Sequence, residues 1–328
     1  MSPIRMIGKY LDQPLLTAKI NKSVPAMLTL GAGAVFADTV KNSPKDERKK
    51  NAMKIGATLT ATAVSAVMAP KIAAYITGRT ASKSLSQIKK FNTEIVDEYI
   101  KNNEVGESLK NILKKAKNNI LSLKEVKELF SDEKHSEIAN KLIPPPDNIT
   151  SKDIFREIGW LSAYGAIPVA GGITGGIIGD KLTESKWKDK VPNKLKEGVY
   201  QYLANIFLCN IGAGAALGLI EKFNIKSKTA RCLGMLGGIL STGVIGGSVI
   251  ANYIGKKVIN PLVSKDDKND TRTPELLDLS LHTDDIATIS LLSGLKWIEP
   301  SLPLLYSVSG YRAGIGYRNH KGDDSKKS

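Results

Sequence analysis

Five ionisable residues stand in or beside long apolar runs of this chain: Asp38, Lys71, Asp180, Arg231 and Arg312. A charge held inside a bilayer is costly, so such residues mark ion, proton or substrate paths when they face a passage. All but Arg312 sit at the ends of their runs, where a solvated or headgroup position is the ordinary expectation. Arg312 interrupts the run 302–317 between Gly310 and Gly314, which makes it the first pathway candidate, with Asp180 beside it. Even at Arg312, a terminal helix whose arginine face meets water is the simpler expectation.

Glycine makes the second constellation. Gly171, Gly175 and Gly179 form one row and Gly172 and Gly176 a second, both on one side of a helix. Gly214/Gly218, Gly234/Gly238, Gly243/Gly247 and Gly310/Gly314 repeat the four-residue spacing. In lipid no hydrophobic effect drives helices together, so close van der Waals approach must do it, and small residues permit that approach. Tight static packing or oligomer contact is expected here ahead of mobile helices around a passage.

Enzyme chemistry finds no footing. The segment Gly212-Ala213-Gly214-Ala215-Ala216-Leu217-Gly218 has one residue too many for a dinucleotide fingerprint. The stretch from Gly171 to Lys181 resembles a phosphate loop until Gly176, which Ile177 follows where lysine is required. His135, His282 and His320 are isolated in polar segments and read as solvated, and Cys209 and Cys232 form neither a disulfide framework nor a metal spacing. No catalytic residue, cofactor or metal site is expected.

The elements that position these residues are apolar runs at 24–39, 55–77, 158–179, 198–220 and 233–255, with a weaker one at 302–317. The run 158–179 carries no charged side chain over a length that crosses a bilayer core of about 30 Å. The run 55–77 has only six Leu, Ile, Val or Phe residues. That is worth roughly −3 kcal/mol before its polar residues are counted, so it needs its neighbours to stay inserted. The run 24–37 also resembles a signal peptide, but a retained helix is preferred. The fold class is therefore an all-α polytopic membrane bundle of about five or six glycine-rich spans.

Around this bundle lie polar parts. Residues 1–23 are basic, with Pro3 and Pro14 preventing one long helix, and suit an interfacial segment or a loose arm. A helix pair occupies 24–78, a polar amphipathic helical insert 79–157, further spans 158–317 with a polar loop near 258–285, and a basic tail 318–328. Within the insert, Leu85, Ile88, Phe91, Ile95 and Tyr99 recur at helical spacing, and Ser122 with Glu125 gives a capping-box pattern. The chain has 47 Lys+Arg and 32 Asp+Glu, a formal +15, and the insert holds 15 against 13, a net +2. The surplus thus flanks the apolar runs, as contact with anionic headgroups requires. It is scattered over short loops, so no nucleic-acid partner is expected.

A weak duplication runs through the spans. Gly31-Ala32-Gly33-Ala34 recurs as Gly212-Ala213-Gly214-Ala215, and Pro168/Gly175/Gly179 as Pro303/Gly310/Gly314. A 3+3 repeat of this kind would give inverted halves, a transporter plan. With the N-terminus inside, the loops 41–54 and 181–196 would both face outward with six basic residues each, so loop charge leaves orientation open. The expected function is a non-enzymatic multi-pass membrane protein of structural or interaction type, in a bacterial cytoplasmic membrane. Residues 79–157, or a homo-oligomer contact, would supply its partner surface. The alternatives are a small transporter or channel and a secreted protein that inserts into membranes.

Overall fold

The computed structural model describes residues 3–79, 83–145, 150–225, 227–263, 271–275, 278 and 299–317. Among them no strand occurs. The tail 318–328, His282, His320 and most of the loop 258–285 lie outside the described residues. The chain divides into two compact units: residues 1–24, 81–149 and 287–301, and residues 25–80, 150–286 and 302–328.

The first unit gathers apolar side chains in its core and leaves most of its described charged residues exposed. It holds α1 (Pro3–Leu11), the start of α2 (Pro14–Asn42), α4 (Leu85–Asn102), α5 (Glu107–Ala116), α6 (Leu123–Leu129) and α7 (Ser136–Leu142). Pro14 opens α2, where a missing N–H is harmless. Capping boxes start α4 at Ser84/Gln87 and α6 at Ser122/Glu125, each satisfying two otherwise unpaired N–H groups. Val96, Leu113, Val126, Leu129 and Ile138 meet in its core. Leu113 and Leu129 are 0% exposed, and burial of such a side chain is worth about 2 kcal/mol.

Residues 1–23 are part of this unit. Gln13 spans the backbone of Leu121: its Oε1 accepts from the Leu121 N–H at 2.7 Å and its Nε2 donates to the Leu121 carbonyl at 2.9 Å. Lys9 Nζ donates to the Ile143 carbonyl at 3.2 Å, and Leu15 and Ala18 pack on Ile88. His135, expected in water, is half-buried and shares a 2.7 Å hydrogen bond with the Tyr99 hydroxyl.

The second unit is built the other way round. It holds α3 (Arg48–Thr77), α8 (Ser151–Thr183), α9 (Val191–Tyr202), α10 (Leu208–Lys222), α11 (Lys228–Gly238), α12 (Ser248–Ile254), α13 (Asn260–Val263) and α14 (Leu302–Ile315), with α2 from Pro25 onward. π-helical turns at Leu203–Phe207, Ile239–Gly247 and Gly255–Ile259 join α9 to α10, α11 to α12 and α12 to α13. Gly78 ends α3 in the left-handed conformation that glycine adopts without strain, its N–H returning to the Ala74 carbonyl.

Among the described residues five helices are long and apolar enough to cross a membrane: Pro14–Asn42, Arg48–Thr77, Phe155–Thr183, Trp187–Lys222 and Leu233–Leu262. They coincide with the five strong apolar runs and extend past most of them, because the lysine-bearing flanks stay helical. The outer surface is apolar, with Leu30, Val64, Ile76, Leu219, Ile245 and Val249 all more than half exposed. The fully enclosed side chains include Asp180, Glu197 and Gln201, each at 0%. Apolar outside and charged inside is the arrangement that lipid selects and water rejects.

Side-chain pairings set the helix directions. Lys54 meets Asp180 and Arg79 meets Glu157, so α3 and α8 are antiparallel. Gly165 abuts Ile206 and Ser151 bonds to Glu221, so α8 and α10 are antiparallel too. Gly238 faces Gly212 and Gly247 faces Ala204, which makes the 228–263 helix antiparallel to α9–α10. Gly310 lies over Pro168 and Gly314 over Gly172, so α14 runs parallel to α8. The inverted 3+3 plan requires α14 and α8 to point in opposite directions, and here it fails. The repeated Gly-Ala motif also meets different surroundings: Gly31 and Gly33 face open space, while Gly212 presses on Gly238.

Candidate functional site

The helix directions bring the start of α3, the end of α8, the start of α9 and the end of α14 to one end of the second unit. Charged residues meet there in the interior. Asp180 Oδ1 lies 2.9 Å from Lys54 Nζ and Oδ2 lies 3.0 Å from Lys194 Nζ. Lys194 also donates to the carbonyl of Gly314, joining α8 and α9 to α14. One turn out, Glu184 pairs with Lys54 at 3.4 Å, with Lys50 at 3.7 Å and with Lys190. Burial raises the Glu184 pKa, but the Lys190 and Lys54 ammonium groups outweigh it and hold the carboxyl below the usual range.

A second cluster adjoins the first on α9 and α14. Arg272 is enclosed, its Nε donating to Glu197 at 3.3 Å and its Nη2 to both Asp278 oxygens at 2.9 Å. Its guanidinium lies 4.5 Å from the centre of the Tyr200 ring. The backbone of Arg272 is clamped by Asn252 through two hydrogen bonds of 2.8 and 2.9 Å. Arg312 donates to Asp278 at 3.0 Å and to Glu275 at 2.9 Å, and Glu275 accepts the Tyr317 hydroxyl at 2.9 Å. Burial pushes the Glu275 carboxyl up, but the Tyr317 hydroxyl, Arg272 and Arg312 together bring it below its ordinary value.

From Glu197 a polar ladder climbs one face of the helix into the apolar interior. Gln201 Nε2 donates to Glu197 at 2.7 Å, and Asn205 Nδ2 donates to Gln201 at 2.9 Å and to Asp278 at 3.2 Å. Eight residues of helix make a column about 12 Å long. Each step is i, i+4, the spacing at which side chains stack along one face.

Asp180 and Arg312 are thus both enclosed, at 0% and 4% exposure. Asp180 is not solvated, and the wet face expected for Arg312 is not found. Asp180 is covered because glycine at 179 lets α8 close on α3 at Lys54; Arg312 is held by Glu275 and Asp278. Asp38 and Lys71 are exposed, and Arg231 pairs with Glu221 at 3.2 Å at the other end of the bundle.

The glycines take the following places. Gly171, Gly175 and Gly179 lie on α3, where a Cβ would meet Ser65, the Ala57 carbonyl and the Lys54 backbone respectively. Gly172 and Gly176 lie against the carbonyls of Gly310 and Gly314 on α14. Gly234 meets Ile220, Gly238 meets Gly212, Gly243 meets Cys209 and Gly247 meets Ala204. Gly214 is buried in α10, and Gly218 has room, its nearest neighbour being Ser151 at 3.7 Å.

Sequence reasoning missed Lys194, Glu197, Gln201, Asn205, Arg272 and Asp278. The signal for the first four was present: they recur at steps of three and four on one helix face. Starting the apolar run at Gly198 left Glu197 outside it. Arg272 and Asp278 sit in a polar stretch with no local sign that they fold back onto α9. Among the described residues no group of three or more His, Cys, Asp or Glu is placed to hold a metal ion. Comparison with protein-family models, with curated proteins and with solved structures finds no match for this chain.

Proposed function

We propose that this chain is a non-enzymatic multi-pass membrane protein of structural or interaction type, in a bacterial cytoplasmic membrane. The observation that carries the reading is the buried ionic network. Its carboxylates face guanidinium or ammonium groups, so it ties α3, α8, α9 and α14 to one another and to Arg272, Glu275 and Asp278 at one end of the bundle. Removing one partner of a buried pair leaves an uncompensated charge, and that penalty makes such a network a strong lock on helix register. The amphipathic insert of residues 79–157 would supply the surface for a partner.

A second reading, a small transporter, is favoured by the ladder Glu197–Gln201–Asn205, because polar groups deep in a span line ion and proton paths. Flux separates the two. In sealed vesicles containing the purified chain, the structural reading expects proton and cation leak equal to that of empty vesicles. A leak abolished by Gln201→Leu, with the protein still folded, would overturn it in favour of transport.

A further inference from the structure

The helix directions decide which short connections share an end, and among the described residues one end collects more of the exposed Lys and Arg. The α2–α3 connection, the α8–α9 connection and the residues after α12 all lie at the end of the second unit that holds the ionic network. Ser43 receives Asn51 Nδ2 at 3.0 Å, Lys190 pairs with Glu184, and Gly255 lies against Lys196. Residues 41–50 carry five exposed Lys or Arg, residues 181–190 four, and Lys256 and Lys257 two more. At the opposite end of the same unit the exposed basic residues among those described are Lys71, Lys152, Arg156 and Lys222. Trp187, with Lys188 at 5.8 Å from its ring, and the exposed Tyr253 stand at the basic end, where interfacial aromatics are expected.

We propose that this basic end rests on the anionic, cytoplasmic leaflet and so sets the orientation of the chain. Residues 41–50 and 181–190 then face the cytoplasm, and the α10–α11 connection at Ser227 faces the opposite side. Short basic loops are retained on the cytoplasmic side, and anionic headgroups attract clustered lysines within a Debye length. The inference rests on the membrane reading.

The test uses the full chain with Cys209 and Cys232 replaced by serine and a single cysteine at Ser185 or Ser227, both exposed. An impermeant maleimide is applied to right-side-out and inside-out membrane vesicles. Ser185→Cys should react only in inside-out vesicles and Ser227→Cys only in right-side-out ones. The reverse pattern overturns the orientation and leaves the membrane reading standing. Reaction of both from both sides, with the protein released by alkaline carbonate, removes the membrane reading instead. In a second arm the Lys45, Lys49, Lys186 and Lys188→Gln variant is inserted into vesicles with or without phosphatidylglycerol. The parent should label from one side only when the anionic lipid is present, and the variant from both sides in either lipid. One-sided labelling of the variant equal to the parent's, or a parent indifferent to phosphatidylglycerol, would show that the basic end does not set the orientation.

Discussion

Asp180 and Lys194 pair at 3.0 Å with 0% and 1% of their side chains exposed, although they belong to different helices and flank a connection rich in lysine. The pair closes the gap between α8 and α9 where the chain turns. Asp180→Leu should destabilise the detergent-solubilised protein by about 3–5 kcal/mol, since it leaves the buried Lys194 ammonium without its carboxylate. Adding Lys194→Met should restore most of the loss, because Lys54 still reaches Glu184 at 3.4 Å. Thermal unfolding of the two variants checks this, and a double variant no better than the single one would remove the lock.

Glycine contacts make a sharper comparison. A Cβ at Gly176 would run into the Gly314 carbonyl, backbone against backbone, while one at Gly33 meets nothing within 4 Å. Gly176→Ala should cost about 1–3 kcal/mol or more, with α14 released from α8. Gly33→Ala should be neutral or gain up to about 1 kcal/mol of helix propensity. Equal effects would mean that spacing alone, and not contact, decides which glycines matter.

Gln13 ties the N-terminal segment to the first unit through Leu121. Gln13→Ala leaves a buried N–H and carbonyl without that partner, at about 1–3 kcal/mol. Hydrogen exchange in the full chain should speed up across α5 and α6, and unchanged exchange there would separate residues 1–23 from the unit.

Acid should loosen the same unit. Lys115, at 2.7 and 2.8 Å, is the main reason that Glu125 titrates at about 2, with Ser122 adding its backbone and hydroxyl donors. A depressed carboxyl contributes stability that is full above its ordinary value of 4.5 and lost as pH falls towards 2. The pair is partly solvated, so the loss is on the order of 1 kcal/mol. Exchange of the α6 amides should quicken between pH 5 and pH 2.5 in the native chain and much less in Glu125→Gln. The same acid response in both proteins would place its cause elsewhere.

The spans were legible because each is a long run whose composition alone separates it from the charged flanks, and Leu85 to Tyr99 showed its helix by spacing. The direction of α14 was not legible. Gly310 and Gly314 show that it packs closely on something, and only contact with Pro168 and Gly172 shows which way it runs. The ionic site was half written. Lys194, Glu197, Gln201 and Asn205 lie on one face, but the charge of Glu197 is balanced by Arg272, 75 residues on, and Asn205 bonds to Asp278, 73 residues on, and no local pattern encodes that closure.

The central claim is that the second unit has lipid, not water, on its apolar outer surface. Membranes from cells making the full chain, washed in alkaline carbonate and sedimented, test it most directly. The protein should stay entirely in the pellet and leave it only with detergent. Recovery as a monodisperse species in the detergent-free supernatant would contradict the account, because Leu30, Val64, Leu219, Ile245 and Val249 would then have to face water.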